Sequence, residues 1–382
     1  MTATTHADEG VSVKPHLIIL GIRGIPAAHG GFETFAERLA PWLRDRGWDV
    51  TVYCQGSATG RREEDEWEGI RRIHIPVSRD DAWGTIAFDI KATADAMKLP
   101  GLVLTLGYNT GFLCSWLRLK GRRNVINMDG LEWKRAKYSS AEKTYLWINE
   151  RLAAWSGDVL VADHPTIADH LATRVRRDKI ATIAYGGDAV YEADPAPLAA
   201  LGLEPGRFFT LIARPEPENS VAEIVAAFSR APRGAKLAVL GTYDPAHEFQ
   251  GRVRRAASDE VVFTGPIYDK PVLAALRHHS IAYVHGHRVG GTNPSLVEAL
   301  GAANAIVAHD NPFNRWVAGD AGLYFADEDE CAARIEAVLA DPALRDRMSA
   351  AARARWDAEF TWPHILGQYE SLLREEARRA AG

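Results

Sequence analysis

Three loops in this 382-residue chain gather residue types suited to holding an anion. The first, GIRGIPAAHGGFETF (Gly21 to Phe35), follows a short apolar run and leads into a helical pattern. Glycines ahead of a helix let backbone N–H groups approach an anion, and the helix dipole favours negative charge there. Gly30 and Gly31 are the amides expected to do this. The second, FFTLIARPEPENSVAEIVAAF, puts Arg214 where a strand should end, with Asn219 or Ser220 able to cap the next helix. A guanidinium offers phosphate oxygens a rigid fork and stays charged at any working pH. Its plain alternative is a surface ion pair with Glu216 or Glu218. The third, YVHGHRVGGTNPSLVEAL, brings His287, Arg288, Gly290, Gly291, Thr292 and Asn293 to a helix start. Ser295 and Glu298 match a capping box. Pro294, however, prefers the first helical position, which makes Asn293 the cap and frees Glu298 for ligand hydroxyls.

Such loops act only if strands and helices aim them at one place. Apolar strands alternate with amphipathic helices along the whole chain, the pattern of parallel sheets covered on both faces. Strands are expected at 17–20, 49–53, 73–76, 102–106, 125–128, 159–162 and 180–184, with Phe32, Phe35, Leu39 and Leu43 at helical spacing after the first. After the Ala/Pro-rich ADPAPLAALGLEPGR the alternation restarts at 208–213, 236–240, 261–264, 281–284 and 305–308. Two βα halves joined by one linker place the default site in a cleft between them, beyond the carboxyl ends of the strands. A nicotinamide dinucleotide site is excluded by the glycine spacing at 21, 24, 30 and 31. The second strand also ends in Tyr53-Cys54-Gln55, without an acid.

Length alone favours two domains. A net charge of -5 gives no case for nucleic acid as the main partner. Cys54, Cys114 and Cys331 are scattered, which argues against a zinc site or a disulfide framework and fits a reducing cytoplasm. No apolar run reaches the roughly 18 residues of a membrane span. The polar first 15 residues read as a disordered leader. Eight of the eleven tryptophans precede residue 160; Trp116 and Trp133 lie beside clustered Lys and Arg. That pattern is either ordinary helix surface or a face resting on an anionic membrane.

Four segments in order resemble retaining glycosyltransferases of the GT-B fold, family GT4, and within it a bacterial rhamnosyltransferase-like branch. They are GIRGIPAAHGGFETF at 21–35, DGLEWKRAKY at 129–138, ARPEPENS at 213–220 and HGHRVGGTNPSLVEAL at 285–300, and the likeness runs from about 16 to 370. The resemblance implies α/β architecture with two Rossmann-like domains across a cleft. An acceptor domain at 16–188 follows the leader (1–15), a linker spans 189–206, and a nucleotide-sugar domain covers 207–365. A terminal helix at 366–382 crosses back to the first domain.

By position, the resemblance makes Arg214 the cation on the donor diphosphate and Glu298 the ribose ligand. A partner lysine of the family is Asn219 here, and the family's sugar-binding glutamate is Gly290, a change consistent with a 6-deoxy-L-sugar such as rhamnose. Arg288 is then a further candidate for the diphosphate, and Ile267 and Tyr268 match a nucleobase loop. Gly30, Gly31, His287 and Gly291 to Asn293 complete the expected donor set. Asp129 would orient or deprotonate the acceptor hydroxyl, or bond its own turn before Gly130. Glu33, Asn109, Thr110, Glu132 and Trp133 would shape the acceptor pocket. The implied reaction moves a sugar from a nucleotide diphosphate to a saccharide or lipid-linked saccharide with retention, in the cytoplasm or at the inner face of the membrane. It needs no cofactor and no metal, and Asp327-Glu328-Asp329, which contains a DxD pattern, reads as solvated surface. A UDP- or GDP-hexose transferase, a nucleotide-sugar epimerase and an inactive donor-binding scaffold stay open as alternatives.

Overall fold

The computed structural model describes residues 14–381 except 29, 59 and 80. Apart from Lys14 and Pro15, the expected leader lies outside the described residues.

The N-terminal sheet contains β1 (His16–Leu20), β2 (Asp49–Gly56), β3 (Glu63–Trp67), β4 (Ile70–Pro76), β5 (Leu102–Leu106), β6 (Asn124–Asn127), β7 (Val159–Ala162) and β8 (Ile180–Thr182). Their order is 3-4-2-1-5-6-7-8. The second sheet contains β9 (Phe208–Ile212), β10 (Lys236–Leu240), β11 (Val261–Gly265), β12 (Tyr283–His285), β13 (Ile306–His309) and β14 (Gly322–Phe325), in the order 11-10-9-12-13-14. Pairing is parallel throughout except between β3 and β4. β1 and β9 each sit where the strand order reverses, which opens a crevice at their carboxyl ends.

Continuous apolar strands follow from burial on both faces. Leu17 and Ile19 pack with Phe35, Leu39 and Leu43 on one side. Ile18 and Leu20 pack with Phe88 and Leu117 on the other. β3 escaped the sequence reading because EEDEW has no apolar alternation. Charge pairs hold it instead: Glu64 to Arg71 at 2.7 Å and Asp65 to Arg72 at 2.5 Å, each across to β4.

The crossover segment 189–206 is more ordered than a plain linker. Helix Ala196–Ala200 lies within it, and Leu198 and Leu203 are buried with Phe208, Leu240 and Leu276 of the second domain. Helix Trp362–Ala381 returns to the first domain, where Trp362, Ile365, Leu366, Tyr369 and Leu373 join the core built on Leu17 and Ile19. Trp42 donates to Glu370 at 2.9 Å and Asn127 to the Tyr369 hydroxyl at 2.8 Å. The two domains are thus tied by this helix behind the cleft as well as across it.

Candidate active site

Between the carboxyl ends of the two sheets lies a cleft of about 390 Å³. Asp129, Glu132, Arg135, Lys137 and Asp163 line it from the first domain; Arg214, Thr292 and Pro294 line it from the second. The first helix of the chain contributes Gly31 at its first turn, 3.5 Å from Pro294 when measured from the position a Cβ would take.

Asp129 follows β6 at a positive φ of 54°. Its N–H donates to Asn127 Oδ1 at 3.0 Å and its own Oδ1 accepts from Gly130 N–H at 2.8 Å. The turn-forming role therefore uses one carboxyl oxygen, and Oδ2 accepts nothing from the described residues. Burial, then the Glu132 carboxylate, push this carboxyl up to about 6. Tyr108 holds the turn from below: its hydroxyl donates to the Gly130 carbonyl at 3.0 Å and accepts from Glu132 N–H at 2.8 Å.

Asp163, directly after β7, was not singled out in the sequence. Its Oδ2 accepts from Thr292 N–H at 2.8 Å, and its main-chain carbonyl accepts from the Thr292 hydroxyl, so the loop at Gly290 to Asn293 hangs from the opposite domain. Its Oδ1 is buried without a partner. Burial, with the nearby Asp129 charge adding to it, pushes the carboxyl up to about 8, so it is neutral near pH 7. A polar residue at the end of a buried strand was the available signal.

Two adjacent glycines in the loop are required for different reasons. Gly290 has φ of 151°, which side-chain-bearing residues rarely adopt, yet a Cβ there would meet open space. At Gly291 the limit is room: a Cβ would stand 2.0 Å from Asp163 Oδ1. Asn293 caps helix Pro294–Gly301, accepting from Ser295 N–H at 3.0 Å, with Pro294 in its first turn. Glu298 is accordingly outside any capping box; it pairs with Arg277 instead.

Arg214 stands at the end of β9, exposed, and its guanidinium makes no hydrogen bond or ion pair among the described residues. The expected alternative partner, Glu218, is taken by the other domain. It accepts from Arg135 Nε at 2.7 Å and from Ala136 N–H at 2.9 Å. Glu132 also pairs with Arg135, at 3.2 Å. His287 stacks on His285 with ring centres 4.4 Å apart, and its Nδ1 is buried without a partner. Burial, then Arg135 and Arg214, lower it to about 4, leaving a neutral imidazole beside the cations.

Other expected residues stand elsewhere. Asn219 neither caps a helix nor faces the cleft; it is buried, and Nδ2 holds the Arg214 carbonyl at 2.9 Å. Arg288 turns outward to Ser220 Oγ at 2.7 Å and Glu223 at 3.0 Å, away from the cleft. Gly30 precedes the first helix with φ of 78°. Glu33 bends back to accept from Arg23 N–H at 3.1 Å. Asn109 is exposed, and Thr110 donates to Asp89 at 2.9 Å beside a separate small cavity. Trp133 donates to Glu150 and packs beside His170, so it supports the site from behind. Ile267 and Tyr268 follow β11, Ile267 packed on the Leu240 cluster and Tyr268 84% exposed. The DxD segment is a helix start: Asp327 caps Glu328–Ala340, and Glu328 and Asp329 pair with Arg230.

Comparison with known proteins adds to this geometry. Residues 14–188 match a family described as a domain of unknown function, DUF1972, and residues 216–371 match one described as glycosyl transferase-like. The alpha-maltose-1-phosphate synthase of Mycolicibacterium smegmatis is 26% identical over 92% of this chain and 96% of its own. The sucrose-phosphate synthase structure from Thermosynechococcus elongatus superposes with a TM-score of 0.81 at 20% identity, covering 97% of this chain and all of that one. Anabaena HepE in complex with UDP gives a TM-score of 0.74 at 16% identity, over 94% of this chain and 100% of that chain. Two parallel-sheet domains with a cleft at their strand ends give this chain the GT-B fold, and its second half is similar to a glycosyl transferase-like family.

Proposed function

We propose that the chain transfers a sugar, L-rhamnose from dTDP-rhamnose as the first choice, to an acceptor hydroxyl with retained anomeric configuration. The observation that carries this reading is Arg214: an arginine with no ion pair among the described residues, opposite a wall that carries Asp129 and Asp163. The bond from the anomeric carbon to the diphosphate oxygen breaks ahead of bond formation, so negative charge grows on the leaving phosphate. Arg214, the Gly31 helix start and the Gly291 and Asn293 amides on either side of Thr292, whose own N–H is held by Asp163, meet that charge, and donors already in place favour the transition state over the ground state. Asp129 Oδ2 takes the acceptor hydroxyl's proton as the new bond forms; a carboxyl raised towards neutrality is suited to that. Glu298 receives the ribose, and the exposed Tyr268 ring offers a face to the base. No metal enters this scheme, so a chelator should leave turnover unchanged.

The rhamnose assignment rests on Gly290, where the backbone conformation disfavours the side chain expected of a hexose-binding loop. The hexose alternative draws support from the Anabaena structure in complex with UDP and glucose. Stabilisation by a panel of dTDP-, UDP- and GDP-sugars separates the two, since a ligand that binds only the native state raises its stability with affinity. Incubation of donor without acceptor addresses the epimerase reading: a changed sugar would identify an epimerase.

A lipid-linked acceptor fits the outer face of the first domain. Trp83, Leu119, Trp147 and Trp155 are 69%, 78%, 41% and 56% exposed there. Arg151 and Arg118 lie over the rings of Trp147 and Trp155. These, rather than Trp116 and Trp133, are the indoles placed to meet a membrane interface. Among the described residues no helix is long and apolar enough to cross a membrane. Co-sedimentation with anionic vesicles, lost on exchanging Trp147 and Trp155 for serine, tests this contact.

A further inference from the structure

The cleft contains a second cation that the reading so far does not use. Lys137 extends from the first domain, just beyond the turn Glu132–Lys134, and lines the same cleft as Arg214 of the second domain. Among the described residues its ammonium makes no hydrogen bond or ion pair; its one recorded contact is the neighbouring Tyr138 ring at 4.7 Å. Burial, followed by the positive charges of Arg135 and Arg214, lowers its pKa, and Glu132 and Glu216 only partly offset them.

Their facing one cleft is built in. Glu218 lies in the turn Pro217–Asn219, three residues past the Arg214-Pro215 step, and it grips Arg135 and the Ala136 amide on either side of one peptide. Asn219 in the same turn anchors the Arg214 carbonyl at 2.9 Å. One short turn therefore fixes the backbone beside Arg214 and the backbone beside Lys137. Arg135 is paired with Glu132 and Glu218, whereas neither Lys137 nor Arg214 has an ion pair among the described residues. Two like charges that line one cleft without an ion-pair partner are only partly offset by the acids around them, and an anion with oxygens for both relieves that cost. A diphosphate has such oxygens; its terminal phosphate carries the greater charge.

We propose that Lys137 is a donor-binding residue supplied by the acceptor domain, gripping the terminal phosphate of the nucleoside diphosphate from the side opposite Arg214. The inference rests on the nucleotide-sugar reading above. It makes the diphosphate site depend on both domains.

Calorimetric titration of the full chain with UDP, GDP and dTDP, and with the matching monophosphates, tests it. Lys137→Ala should weaken the preferred diphosphate by about 10–100-fold, the scale of a charge-assisted contact, while the monophosphate changes less than about twofold. Lys137→Arg should recover most of the loss. Equal weakening of di- and monophosphate would overturn the proposal, as would unchanged diphosphate affinity. Loss confined to a phosphorylated acceptor such as glucose 6-phosphate would assign Lys137 to the acceptor instead and also overturn it. If the wild-type chain binds no nucleoside diphosphate, the nucleotide-sugar reading itself fails, and this inference with it.

Discussion

Arg135 and Arg214 face one cleft from opposite domains, yet their surroundings differ. Arg135 is enclosed by Glu132 and Glu218, and its guanidinium stays charged because those acids sit beside it. Arg214 has no ion pair among the described residues and lies open to the cleft. The first arginine joins two domains; the second is the one we propose takes a ligand. For these two arginines, satisfied charge goes with architecture and open charge with the proposed site.

The same division separates the carboxyls, and it can be broken at defined points. Asp129→Asn keeps the turn, because the amide oxygen still accepts from Gly130, but removes the proposed base. Turnover should fall by about 10²–10⁴ with donor affinity unchanged. The acid limb of kcat/KM, expected near pH 6 from the raised carboxyl, should vanish with it. Near-normal turnover would return Asp129 to the turn alone. Arg214→Ala should reduce turnover by about 10²–10³, the scale of losing one oxyanion donor, without lowering the melting temperature, since it has no protein partner to lose.

Glu218→Ala should do the reverse. It leaves Arg135 with Glu132 alone and frees the Ala136 amide, and breaking a buried pair costs about 3–5 kcal/mol. Chemical denaturation would measure that loss; a variant as stable as the wild type would remove the proposed junction. At Asp163 the expected effect is a pH dependence. Its folded-state carboxyl, near 8, lies above the unfolded value of about 3.9. The native state therefore keeps a proton that the unfolded chain releases, so stability declines as pH rises through that window and levels off above it. Asp163→Asn should flatten this slope while keeping the oxygen that accepts from Thr292. An unchanged slope would place the titration elsewhere.

Much of the fold was legible because both faces of most strands are buried, so apolar runs at positions such as 17–20 and 102–106 mark them directly. β3 was not legible, since opposite charges across a strand pair leave no hydrophobic period. At the site, residues defined by local geometry were readable: the Asn293 cap, the Pro294 helix start and the strand-end Arg214. What could not be read was partner choice over long separations. Glu218 lies four residues from Arg214 but pairs with Arg135, 83 residues distant. Asp163 meets Thr292 across 129 residues. Trp133, close to Asp129 in sequence, turns away because its N–H finds Glu150. Spacing along a chain reports direction on an element, whereas these contacts depend on how two domains come together.

The central claim is that Arg214 awaits a nucleotide-linked diphosphate. Thermal unfolding of the wild type and Arg214→Ala, each with dTDP-, UDP- and GDP-sugars at equal concentration, tests it most directly. The account predicts that one donor, dTDP-rhamnose foremost, raises the wild-type melting temperature, while Arg214→Ala stays near its ligand-free value. A wild type indifferent to every donor, or a variant stabilised as much as the wild type, would contradict it.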